Sequence, residues 1–209
     1  MNPIRLLLAR HGQATSGPDH RWTVDDPLTE IGRTQAEDLA RRVAAMQRPP
    51  TRIVVSHATR AMETARPVAE AIGVELEVDE RLVEFGSGAI SPFTLADMEE
   101  ANPYDEIWHP HDAAWDGESV GDFWKRVSSA VSDVVASGGR PLIVSHGGTT
   151  TAILRWCLDV PLDVPDRYYF KIENASLTDV RFEFDRLGRR RMWLAHLNDT
   201  SHLTTSTDV

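Results

Sequence analysis

A chain of 209 residues has the length for one sizeable domain with a real core. Its formal net charge of −10 argues against nucleic acid and anionic membranes as partners, because a basic face supplies most of the binding energy for both. With that charge, any attraction for phosphate must be local; the one cysteine, Cys157, within an apolar helical pattern, excludes an internal disulfide and reads as a buried thiol.

The apolar run Ile4 to Ala9 reads as a buried strand. It is too short for a signal peptide or a membrane span and leads straight into Arg10-His11-Gly12-Gln13, from which a cytoplasmic protein is expected. An imidazole beside a guanidinium is thereby delivered to a strand end, where open α/β sheets place their ligand crevice. Neutral imidazole is a competent nucleophile toward phosphorus, and the arginine fork can hold two phosphate oxygens. Ile31, Gln35, Ala36, Leu39, Val43 and Met46 trace a helix closed by Pro49-Pro50. A second strand, Ile53 to Ser56, runs into a helix whose face is Ala61, Ala65, Val68, Ala69 and Ile72. Arg60 lies in its first turn, where the helix dipole favours negative charge, so an anionic partner would account for it. Glu75 to Val78 reads as a further strand and precedes Arg81-Leu82-Val83-Glu84.

The stretch 88–116, with Phe93, Tyr104, Trp108, His109, His111 and Trp115, is the candidate cover over a pocket. Ser119-x-x-Asp122 has the form of a helix start before Phe123, Val127, Val131 and Val134, which gives Glu118, Ser119 and Asp122 structural work in a helix from Val120 to Ala136. Pro141 to Ser145 repeats the opening arrangement: a short apolar strand, then His146-Gly147-Gly148 and a helix ending near Leu158. The glycines permit close ligand approach, and the helix start offers unpaired N–H groups to an anion. Ser176 to Phe184 and Arg191 to Asn198 alternate around Leu187-Gly188 as an antiparallel pair. The fold class expected is α/β, a three-layer, mostly parallel sheet with helices on both faces and a C-terminal antiparallel strand pair. One domain is expected over 1–202, with 203–209 as a flexible tail.

Taken together, Arg10 to Gln13, Asp25 to Gly32 with Gln35-Ala36, Ser56 to Ala65, Glu84, Gly117-Glu118-Ser119, Asp122-Phe123 with Arg126, Ser145-His146-Gly147 and Asn198-Asp199 resemble the histidine phosphatase superfamily in the family's order. The resemblance implies that His11 is the nucleophile that becomes phosphorylated. It implies that Arg10, Arg60 and His146 bind the phosphoryl oxygens, with Gln13 and Gly147 on the substrate, and that Glu84 is the proton donor. The expected activity is a metal-independent phosphatase acting on a small phosphorylated metabolite, without a cofactor. The alternatives are a phosphoglycerate-type mutase and a catalytically silent member that binds a phosphorylated ligand.

Two departures bear on the substrate. Gly17 stands where family members often carry a substrate-contacting asparagine. Gly88 is followed by Ala89, Ile90, Ser91 and Pro92, where the family commonly shows a tryptophan and an acid. A mutase must shield its phosphohistidine while substrate reorients. The 61 residues between Glu84 and His146 are fewer than the family's mutases generally have, which favours hydrolysis. Among the remaining histidines, His57 reads as a polar packing residue. His109 and His111, flanking Pro110, lack a third ligand at zinc-like spacing, so no metal site is expected. His196 and His202 read as structural or solvated. The sequence leaves oligomeric state open.

Overall fold

The computed structural model describes residues 3–15, 19–87, 94, 109–113, 116–165, 167, 170–187 and 189–204. Strands β1 (Ile4–Arg10), β2 (Arg52–Val55), β3 (Leu76–Val78), β4 (Pro141–Ser145), β5 (Leu177–Phe184) and β6 (Arg190–Asp199) form one sheet in the order β3-β2-β4-β1-β5-β6. The first four in that order are parallel, and β5 and β6 continue antiparallel. The order reverses between β2 and β1, with β4 between them, so the carboxyl ends of β1 and β4 lie side by side. Residues leaving those two ends are the ones the fold brings together.

Strand alternation divides the core in two. Leu6 and Leu8 of β1, Val54 of β2 and Ile143 of β4 face one layer, while Leu7, Ala9, Ile53, Val55, Leu142 and Val144 face the other. The first layer is made by α3 (Val120–Ala136) and α4 (Gly147–Cys157), through Phe123, Val127, Val131, Ile153 and Leu154. The second is made by α1 (Glu30–Ala44) and α2 (Thr59–Ile72), through Leu39, Val43, Ala61, Ala65 and Val68. Helices thus cover both faces, as the alternating pattern predicts.

The differences in detail have local causes. α1 starts at Glu30 because Thr29 caps it, its hydroxyl accepting the Gly32 N–H at 3.0 Å. Ile31, placed on the apolar face by periodicity, is 44% exposed, and the inward positions of that first turn belong instead to Gly32 and Gln35. Met46 packs on the core from beyond the helix end. β3 begins at Leu76, one residue later than expected. α3 has the expected bounds, and Ser119 Oγ accepts the Asp122 N–H at 3.1 Å.

At the C-terminus, where the tail was expected to loosen from 203, the Thr204 N–H and hydroxyl both donate to Asp38 Oδ2 on α1 at 2.7 Å. Residues 205–209 lie outside the described residues, as do Gly17 and all of the expected cover 88–116 except 94, 109–113 and 116. No helix among the described residues is long and apolar enough to cross a membrane.

Candidate active site

His11 leaves the end of β1 with its backbone held from two directions. Its N–H donates to Ser145 O of β4 at 2.9 Å, and its carbonyl accepts from Ala175 N at 3.1 Å and Asn174 Nδ2 at 3.0 Å. The turn that follows lies almost in contact with the start of α1. A Cβ on Gly12 would come 2.5 Å from Gly32 O, and one on Gly32 would come 2.0 Å from Gln13 O. Both positions therefore require glycine. The Gly12 N–H donates to Thr64 Oγ1 at 2.9 Å and the Gln13 N–H to Gln35 Oε1 at 2.8 Å, so α1 and α2 clamp the loop.

The His11 ring is buried and oriented. Nδ1–H donates to the carbonyl of Gly12 at 2.7 Å, which leaves the lone pair on Nε2, where Arg60 Nε donates to it at 3.3 Å. Burial first, then the Arg60 and Arg10 guanidiniums, hold the His11 pKa well below its ordinary value of 6.5, against a smaller opposing effect of the Gly12 carbonyl. Near neutral pH the ring is an unprotonated base whose Nε2 electron pair is directed at Arg60. Its plane meets that of His146 edge-on, with centroids 5.1 Å apart. His146 is kept neutral in the same way, by burial first and then by His11, Arg60, Arg10 and Arg126. Its Nε2 meets Ser56 Oγ at 2.9 Å, while Nδ1 is buried without a hydrogen-bond partner.

Three further groups close around these rings. Arg60 is itself buried, and burial, the largest influence, lowers its pKa; the negative charges of Glu84 and Asp26 act the other way. One Nη donates to Thr23 O at 2.6 Å, and the guanidinium carbon stands 5.7 Å from the Trp22 ring. Arg10 donates to Ile172 O at 2.5 Å, and its guanidinium lies against Gly147, whose added Cβ would be 3.7 Å from Arg10 Nε. That Nε is a second buried polar atom without a partner. Buried polar atoms left unsatisfied in one place ask for an explanation, and a polar ligand supplies one. Glu84 reaches the start of α4, its two carboxylate oxygens accepting from Phe85 N at 2.9 Å and Gly148 N at 2.8 Å. A Cβ at Gly148 would sit 2.5 Å from Glu84 Oε1, so that glycine makes room for the acid.

α1 and α3 are capped by the side chains of their own N-cap residues, Thr29 and Ser119, whereas Ala58 and His146, which precede α2 and α4, give no side-chain cap. At the start of α4 the Glu84 carboxylate takes the Gly148 N–H. His11, Arg10, Arg60, His146, Gly147 and Glu84 are thus drawn from the ends of β1 and β4, the first turn of α2, and the segment after β3.

Gln13 is adjacent, but its Oε1 accepts from the Thr29 hydroxyl at 2.7 Å, which ties it to the cap of α1. His57 is exposed, not packed as expected, because it precedes α2 on the outer side of the turn. His109 and His111 are exposed, and among the described residues no three His, Cys, Asp or Glu side chains gather as a metal-binding group.

The chain matches the sequence profile of the Histidine phosphatase superfamily (branch 1) over residues 6–195. It belongs to that family. A probable phosphoglycerate mutase GpmB of Yersinia enterocolitica is 27% identical over 217 residues, covering 96% of this chain and 95% of the relative. A mycobacterial glucosyl-3-phosphoglycerate phosphatase, in complex with inorganic phosphate, superposes with a TM-score of 0.73 at 27% identity, over 96% of this chain and all of that one. Bacillus stearothermophilus YhfR gives a TM-score of 0.72 at 29% identity, over 95% and 98% of the two chains. Family and fold together make this an enzyme of the histidine phosphatase type.

Family membership also explains side chains that local pattern did not flag. Arg126 donates to Val83 O at 2.7 Å and Glu84 O at 3.2 Å while paired with Glu118, so the landmark Gly117-Glu118-Ser119 and Arg126 fix the backbone that carries the acid. Asn174 Nδ2 bonds the His11 carbonyl, Ser56 Oγ the His146 ring and Thr64 Oγ1 the Gly12 N–H, while the backbone carbonyl of Thr23 holds Arg60, all from residues distant in sequence. Only a tertiary contact marks them.

Proposed function

We propose that this protein is a metal-independent phosphomonoesterase acting on a small phosphorylated metabolite through a phosphohistidine on His11. The observation that carries the reading is the His11 ring. It is buried and neutral, its proton is committed to Gly12 O, and the electron pair of Nε2 accepts from Arg60 Nε at 3.3 Å. In the first half-reaction Nε2 attacks phosphorus, the bond from phosphorus to the ester oxygen breaks, and the departing oxygen takes a proton from Glu84. Arg10, Arg60 and His146 face the charge that spreads over the three equatorial oxygens, so positive charge and N–H donors are in position before the reaction begins. In the second half-reaction water attacks the phosphohistidine, the Glu84 carboxylate accepts its proton, and phosphate leaves with His11 neutral again.

Incubation with p-nitrophenyl phosphate and a panel of phosphorylated sugars and glycerates, in the presence of chelator, releases phosphate on this reading. Acid-labile label trapped on the protein must disappear in His11→Ala; label that persists there refutes the nucleophile. The name of the Yersinia relative supports a second reading, a phosphoglycerate-type mutase. Isomer in place of free phosphate, in the presence of a bisphosphate primer, would establish it. The short span from Glu84 to His146 favours hydrolysis.

A further inference from the structure

Beneath the sheet, at the end opposite His11, lies a cleft of about 310 Å³ lined by Pro3, Ile4, Arg5, Arg48, Arg140, Arg181 and Glu183. It gathers four guanidiniums in a chain whose net charge is −10. Arg5 of β1 and Arg181 of β5 are direct cross-strand partners, an arrangement that repels unless an anion lies between them. Asp179 is that anion: Arg5 Nη2 and Arg181 Nη2 both donate to its Oδ2 at 2.9 Å. The buried carboxyl compensates one of the two charges. Arg140, just before β4, is tied to Pro49 O through Nε at 3.0 Å, and Arg48 makes no hydrogen bond or ion pair to the described residues. Glu183 is the one carboxylate on the wall. Positive charge is therefore in excess at one concave place, carried by the side chain best shaped to take two oxygens at once.

We infer that this cleft is a second anion site, binding the phosphate or carboxylate groups of a small polyanionic metabolite. The length of β1 from Arg5 to Arg10 separates it from the catalytic end, on the order of 17 Å along the strand. The two sites are therefore occupied independently in space.

Calorimetric titration at fixed ionic strength tests it, with methylenediphosphonate and citrate as probes that phosphatase chemistry does not consume. Wild type should show a class of sites that saturating vanadate does not displace, and the preferred probe identifies phosphate or carboxylate as the group recognised. Arg48→Ser, at an exposed and unpartnered position, should weaken that class about tenfold, as expected for one charge-assisted pair, and leave p-nitrophenyl phosphate hydrolysis unchanged. Arg140→Ser should weaken it similarly. A single class of sites, fully displaced by vanadate, would overturn the inference, as would unaltered affinity in both variants. Neither result would touch the catalytic reading, which rests on other residues.

Discussion

β1 carries an arginine near each end, and the two have opposite fates. Arg5 is met by the buried carboxylate of Asp179, whereas Arg10 has a carbonyl as its hydrogen-bond acceptor and keeps its charge uncompensated beside two imidazoles. At the lower end a carboxylate turns positive charge into a structural tie. At the upper end burial depresses the pKa of His11 and His146, the same charge with that of Arg60 adds to it, and that charge is available to an incoming anion. What the side chain does is decided by whether a carboxylate lies within reach.

The largest expected break in this contrast comes from the nucleophile. His11→Ala should lower p-nitrophenyl phosphate turnover by on the order of 10⁴ or more, read by steady-state kinetics. Next, Arg60→Ala should cost roughly 10²–10³ in kcat. It should also raise the acid limb of the pH–rate profile, because removing a neighbouring cation lets the His11 pKa return toward 6.5. A limb that stays in place would mean that Arg60 does not act on the ring electrostatically.

Glu84→Gln should slow alkyl phosphates more than aryl ones, since a good leaving group depends less on protonation. Gly148→Ala should reproduce that selectivity, as its Cβ would displace the carboxylate. Equal slowing of both ester classes would remove Glu84 from the acid role.

A smaller effect separates the neutral imidazoles from the paired arginines through pH. Both rings have folded pKa values well below 6.5. As pH falls through about 6.5 the unfolded chain takes up protons that the folded chain refuses. Stability is therefore retained above that pH and lost below it, by about 1.4 kcal/mol per pH unit for each ring until the folded value is reached. Urea midpoints between pH 7.5 and 5.5 should fall accordingly, with a shallower slope in His146→Asn. At the other end of the strand, Arg5→Ala should leave kcat near wild type and cost about 1–2 kcal/mol in urea unfolding, because Asp179 retains Arg181.

Much of the fold was readable from periodicity. α3 and β4 have the bounds that the pattern implies, since each carries one unbroken signal: a capped amphipathic helix and a short apolar run before His146. Ile31 misled because periodicity records apolar spacing, whereas the backbone contact between Gly32 and Gln13 turned a different edge of α1 inward. His11, Arg60 and His146 could be singled out because each follows a strand end directly or within a helical turn. Asn174 could not, because a lone polar residue has no periodic signature, and Ser56 and Thr64 lay inside the resemblance from Ser56 to Ala65 without a role of their own.

The amino-acid order alone settled the alternation of strand and helix, the sign of the global charge, and the delivery of histidines to two strand ends, since each depends on neighbours a few residues apart. Which guanidinium keeps its charge, which ring nitrogen keeps its lone pair, and how close Glu84 comes to the start of α4 were settled by packing. The guanidinium charges and the place of Glu84 depend on a carboxylate, a carbonyl or a glycine brought from 60 or more residues away, as the contact between Glu84 and Gly148 illustrates with a separation of 64, whereas the His11 lone pair depends on how the ring is turned onto the neighbouring Gly12 carbonyl.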